Sequence, residues 1–192
     1  MSSEAMSSEP TALHRWVRAT TLGWLLGFVL VVVLSIAWDQ IGGGAQFIVG
    51  VGMGAGVGIM QARVVGEWVK PTRRWIWATT AGMGLPFLLW DSGVAVGLPA
   101  FFSLPLCVVA GSLLVGVLQS VLLRLRLNRT AWWIPASLVG WGLPAAGIAL
   151  GDSGLLSGPG ALISVGAMVL GGAVLGAVTG KALLWLPQRS AV

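Results

Sequence analysis

The sequence predicts an all-α integral membrane protein: six transmembrane helices forming three tandem, parallel two-helix hairpin repeats, with both chain ends in the cytoplasm. Three observations carry this prediction. Of 192 residues, 56% are hydrophobic and 9% charged, and the mean hydropathy is +0.91, whereas about a quarter of a soluble domain's residues are charged. Six apolar runs occur, at 16–38, 46–65, 74–91, 100–123, 132–150 and 160–186, each able to supply the roughly 17 to 25 residues that cross a bilayer as helix. The turns between them alternate between basic and Gly-rich.

In chain order, residues 1–13 read as a disordered cytoplasmic tail, because MSSEAMSSEP holds nothing that builds a core. A single membrane domain follows at 14–187, in repeats of about 14–71, 72–130 and 131–187, and 188–192 form a C-terminal tail. The first run is too long for a signal-peptide core and lacks a small-residue cleavage pattern, so it is expected to remain as a span.

The basic residues set the orientation. Arg15 and Arg18 precede the first run; Arg63, Lys70, Arg73 and Arg74 separate the second from the third; Arg124, Arg126 and Arg129 separate the fourth from the fifth; Lys181 and Arg189 close the sixth. By the positive-inside rule these segments are cytoplasmic. The chain is thus expected N-in and C-in as a multi-pass protein of a bacterial plasma (inner) membrane. The opposite turns carry one acid per hairpin, Asp39, Asp91 and Asp152. Asp suits helix ends, and Asp-Ser-Gly at 91 and 152 reads as turn chemistry; a cation-attracting ring at a pore mouth is the other reading.

The hairpins repeat in sequence. Trp16, Ala19, Thr20 and Gly23 recur as Trp75, Ala78, Thr79 and Gly82, and again as Trp133, Ala136, Ser137 and Gly140; the leading Trp recurs 59 and then 58 residues on. These positions share one helical face, where small residues admit a neighbouring backbone and indoles sit at the cytoplasmic headgroup level. Trp38 and Trp90 are expected to sit likewise at the outer boundary. On the even runs, Gly54, Gly58 and Gln61 recur as Ser112, Gly116 and Gln119, and more weakly as Ala173, Ala177 and Gly180. That alignment removes the third Gln and sets Lys181 beside its place. Pro86 and Pro144 are expected to kink the third and fifth spans. Units of two spans insert with the same topology, so three of them can close about a pseudo-threefold axis.

Gln61 and Gln119 are the leading candidate contacts, because a carboxamide in hydrocarbon must find partners. Interhelical bonds to Thr20, Thr79 or Ser137 are one reading; a solute contact and snorkelling to headgroups are the others. The single cysteine, Cys107, and single histidine, His14, supply too few ligands for a metal, haem or cluster site, so no cofactor or metal is expected. No Ser, His and acid set and no carboxylate pair occurs, which disfavours an enzyme. The +5 charge is dispersed beside apolar runs, which points to membrane lipids and not to nucleic acid.

Gly54, Gly58 and Gln61 followed by Trp75, Ala78, Thr79 and Gly82, then Ser112, Gly116 and Gln119 followed by Trp133, Ala136, Ser137 and Gly140, carry a resemblance. The chain resembles uncharacterised bacterial multispanning membrane proteins in which Gly-x-x-x-Gly-x-x-Gln, a basic turn and Trp-x-x-Ala-Thr/Ser-x-x-Gly recur. That resemblance implies no activity. Two functions are left open: a structural or accessory membrane component, packing as a homo-oligomer or against a membrane complex, and a small-solute transporter or channel with a path along the pseudo-threefold axis.

Overall fold

The computed structural model describes residues 3–40, 45–66, 69–97, 104–153 and 160–186. The expected tail at 188–192 with Arg189, the turn glycines at 42–44 and the Asp152 side chain lie outside the described residues. Six α-helices follow one another: α1 (Ser3–Asp39), α2 (Phe47–Val65), α3 (Arg73–Ala95), α4 (Leu104–Leu123), α5 (Trp133–Asp152) and α6 (Gly160–Trp185), with a 3₁₀ turn at Thr130–Trp132 leading into α5. Five are long and apolar enough to cross a membrane. The exception is α3, where Arg73 and Arg74 at one end, Thr79 and Thr80 within, and Asp91 and Ser92 at the other dilute the apolar content.

Two boundaries differ from the sequence expectation. Helix α1 begins at Ser3, so the backbone expected as a tail continues the helix. Asp91-Ser92-Gly93 lies inside α3 and is not a turn; the chain turns at Val96 and Gly97, where Gly97 takes φ +75°. Pro86 and Pro144 lie inside α3 and α5.

Each helix packs against its sequence neighbours, and α6 returns to pack on α1, so the six close into a ring. Small residues set how closely the helices approach. A Cβ added at Gly54 would lie 2.6 Å from the Thr79 carbonyl oxygen, one at Gly23 would lie 2.8 Å from the Gly56 carbonyl oxygen, and one at Gly82 would lie 2.9 Å from the Val115 nitrogen. These are backbone-to-backbone approaches, the geometry that small-xxx-small stripes permit.

Two apolar clusters fill the ring. One, at the end carrying Arg63, Arg74 and Arg124, joins Trp16, Trp75 and Trp133 with Val65, Leu123 and Leu183. The other joins Trp24, Met83 and Trp141 from the odd helices with Val57, Val115 and Leu175 from the even ones. Between them in sequence, on every helix, stands a short polar step.

Candidate functional site

The polar step is a layer of hydrogen bonds that ties odd helices to even ones. Gln61 on α2 donates through Nε2 to Thr20 Oγ1 on α1 at 3.1 Å, and its Oε1 accepts from Trp75 Nε1 on α3 at 3.2 Å. Gln119 on α4 repeats both bonds: Nε2 donates to Thr79 Oγ1 on α3 at 2.8 Å, and Oε1 accepts from Trp133 Nε1 on α5 at 2.8 Å. Each carboxamide bridges the helix before it and the helix after it. Thr79 passes its own proton to the Trp75 carbonyl at 2.9 Å. Gln61, Gln119, Thr20 and Thr79 are all buried, so these bonds replace water that the site excludes.

The third junction, between α6, α1 and α5, uses a shorter residue. Trp16 Nε1 donates to Thr179 Oγ1 at 3.0 Å, and that hydroxyl donates to the Leu175 carbonyl at 2.6 Å. The glycines explain why Thr179 stands in this role. A Cβ at Gly58 would meet the Ile76 Cα and Thr79 Cβ at 3.2 and 3.1 Å; one at Gly116 would meet the Ile134 Cα and Ser137 Cβ at 3.0 and 3.2 Å; one at Gly176 would meet the Val17 Cα and Thr20 Cβ at 2.9 and 3.1 Å. Gly176 therefore plays the part of Gly58 and Gly116, and the residue three positions later is Thr179. The sequence alignment through Ala173, Ala177 and Gly180 is one residue out of register. In the corrected register Gly172 and Gly176 keep both small positions, and the Gln is replaced by Thr, not deleted at Gly180. Adjacent Gly171 and Gly172 blur the register in the sequence; the intact Gly-x-x-x-Gly followed by a polar residue was the signal that distinguishes it.

The substitution leaves a mark on the neighbouring helix. Ser137, which matches Thr20 and Thr79, is 1% exposed and its Oγ has no hydrogen-bond partner; Thr80 Oγ1 is the other such buried atom among the described residues. At the first two junctions a Gln reaches both Trp and Thr. Thr179 reaches only Trp16.

The three indoles occupy the middle of this layer. Trp16, Trp75 and Trp133 are 1%, 0% and 0% exposed. Their rings meet edge to face, with centroids 6.1 Å apart for Trp16 and Trp75, 5.9 Å for Trp16 and Trp133, and 5.9 Å for Trp75 and Trp133, the arrangement aromatic quadrupoles prefer. This corrects their expected position at the headgroup boundary: an indole whose N–H has a carboxamide or hydroxyl acceptor can be buried, and each has one. Among the described residues, the indoles bare at that end are Trp77, Trp132 and Trp185, at 68%, 70% and 83% exposed. A second aromatic contact joins Trp24 to Trp141 at 5.6 Å, and Trp24 Nε1 donates to the Met168 carbonyl at 2.8 Å, which fastens α1 to α6. Beyond Trp24, Met83 and Trp141 lies a cavity of about 110 Å³ reaching Phe28, Phe87 and Leu104, with an entirely apolar lining.

The other candidates separate from this layer. Lys181 is exposed and lines a groove between α5 and α6; it does not join the Gln residues. Ser112 is buried, and its hydroxyl donates to the Val109 carbonyl of its own helix at 2.8 Å. Gly140 faces Leu175. Asp39 is exposed at the end of α1. Asp91 does different work: its carboxylate accepts from the backbone N–H of Gln46 at 3.1 Å and of Phe47 at 2.7 Å. It supplies acceptors that the α2 N-terminus lacks from its own N-cap side chain. Trp38 packs edge to face on Phe47 with centroids 5.2 Å apart. No group of three or more His, Cys, Asp or Glu able to hold a metal occurs among the described residues. Comparison with known protein families, characterised proteins and solved structures gives no match.

Proposed function

We propose that this chain is a structural or accessory component of a bacterial plasma membrane, without enzymatic activity: six spans in three tandem parallel hairpin repeats, N-in and C-in, that serve a homo-oligomer or a larger membrane complex as a rigid helical unit. The observation that carries this reading is the state of the ring centre. Trp16, Trp75 and Trp133 meet there at 1% exposure or less, and Gln61 and Gln119, the residues best suited to contact a solute, each commit an Nε2 donor and the Oε1 acceptor to Thr20, Thr79 and the indoles. A polar solute on this axis would find an apolar cavity and then three packed rings. The placement of the basic residues in alternate turns supports the orientation.

Reconstitution of the purified chain into sealed vesicles tests the proposal. The expected result is no conductance above that of empty vesicles and no solute-dependent shift in melting, together with a stable oligomer or co-purifying membrane partner in mild detergent. Saturable solute flux that is lost on substituting axis residues would replace this reading with transport.

A further inference from the structure

We propose that the groove between α5 and α6 binds one anionic phospholipid, with its phosphate on Arg129 and Lys181 and an acyl chain along the apolar wall. The groove has a volume of about 580 Å³, and its lining includes Arg129, Trp132, Pro135, Val139, Lys181 and Trp185. Its chemistry is graded along its length. Arg129, Trp132 and Trp185 stand at the mouth, Lys181 lies about one helical turn inward along α6, and Val139 lies about 10 Å inward of Trp132 along α5 at 1.5 Å per residue. Cations above an apolar floor match a charged headgroup above a hydrocarbon chain.

Three features favour that occupant. Trp132 and Trp185 are among the most exposed indoles of the chain, and an indole is preferred at the level where headgroup meets acyl chain. Arg129 and Lys181 are exposed, and neither side chain makes a hydrogen bond or ion pair among the described residues; the groove lining carries no acid. Arg129 also holds φ at +54°, a left-handed conformation uncommon outside glycine, at the residue that begins the 3₁₀ turn leading to Trp132. Two unopposed cations select net negative charge, because a zwitterionic lipid brings its own cation to compete for the phosphate. A free phosphate would engage the cations and leave the apolar wall bare. Basic pockets between transmembrane helices are established sites for anionic headgroups.

The inference rests on the membrane-spanning reading, which is assayed separately by resistance of vesicle-bound chain to alkaline extraction. The purified full chain, delipidated in detergent, is titrated with dioctanoyl phosphatidylglycerol, with the phosphatidylcholine of equal chain length and with inorganic phosphate, and bound lipid is counted by native mass spectrometry. One phosphatidylglycerol is expected to bind in preference to phosphatidylcholine, with Arg129→Gln/Lys181→Gln weakening it about tenfold or more. Arg124→Gln/Arg126→Gln, which removes the same charge from the same end outside the groove, is expected to leave binding unchanged. Equal binding of phosphatidylcholine, equal loss in the two double variants, or full competition by inorganic phosphate would each overturn the proposal. If Arg129→Gln/Lys181→Gln fails to fold, Trp132→Leu/Val139→Gln provides the second variant, and undiminished phosphatidylglycerol binding by it overturns the proposal equally.

Discussion

Replacing Gln61 by Leu isolates the energetic role of the polar layer. Leu approximates the carboxamide in volume but removes the acceptor of Trp75 Nε1 and the donor to Thr20 Oγ1. The two losses are unequal. A Thr hydroxyl can turn its proton to the carbonyl four residues back, as Thr79 does toward Trp75, so Thr20 forfeits an acceptor role and little else. The Trp75 indole is 0% exposed, and its N–H has no second acceptor among the described residues. A buried donor left unmade costs about 1–3 kcal/mol, and the lost neutral hydrogen bond to Thr20 adds about 0.5–1 kcal/mol. Gln61→Leu is thus expected to destabilise by about 1.5–4 kcal/mol, read as a shift in equilibrium unfolding in mixed dodecylmaltoside and sodium dodecyl sulfate micelles. Adding Trp75→Phe removes the orphaned donor along with its acceptor. The double variant should therefore fall short of the sum of the singles by about 1–2 kcal/mol, the coupling expected of residues in direct contact. Unchanged stability of Gln61→Leu with altered solute uptake would refute the reasoning and make Gln61 a ligand contact.

Ser137→Ala should be neutral or stabilising by up to about 1 kcal/mol, because it deletes a buried hydroxyl with no partner, whereas Thr79→Ala should destabilise by about 1–2 kcal/mol; thermal melts monitored by near-ultraviolet circular dichroism compare the two. Gly54→Val should separate α2 from α3 and lower stability by more than about 2 kcal/mol, since even its Cβ would enter the Thr79 carbonyl. Gly142→Ala, where an added Cβ meets nothing within 4 Å, should instead stabilise by about 0.5–1 kcal/mol through helix propensity, in the same melt. Asp91→Ala should cost about 1 kcal/mol and speed amide exchange at Gln46 and Phe47, the two N–H groups its carboxylate accepts from.

Much of this architecture was written in local composition. Apolar runs bounded by charge or glycine mark where helices begin and end, because a helix satisfies its backbone internally and only its termini need other partners; α2, α4 and α6 fall within a few residues of the runs that predict them. The Trp and Gln motifs were legible too, because polar groups in an apolar chain must pair. What composition could not give is which face of a helix turns inward. An indole at a helix end beside Arg reads as a boundary residue on the strength of its neighbours; Trp16, Trp75 and Trp133 turn inward because partners from other helices await their N–H groups. The same limit hid the Asp91 cap, whose two partners stand on another helix more than forty residues away.

The register of the third junction shows how packing decides between alignments that identity cannot. Gly172 and Gly176 lie against Thr21 and Val17 of α1, and that contact alone makes Thr179 the counterpart of Gln61 and Gln119. The consequence is physical. Thr179 meets its proximal carbonyl and Trp16 but cannot also span to α5, so the bridge that elsewhere ties three helices ties two. The α5–α6 side of that junction lacks the polar tie, and the groove lined by Arg129, Trp132, Lys181 and Trp185 lies between these same helices. The missing tie and the groove thus fall between the same two helices, which Ser164 Oγ joins elsewhere by donating to the Ile148 carbonyl at 3.1 Å. If those two facts are linked, restoring the bridge with Thr179→Gln should satisfy Ser137, raise stability by about 1 kcal/mol and slow amide exchange along α5. A lower melting temperature with Ser137 still unpaired would mean that α6 sits too close to Trp16 for a carboxamide to fit.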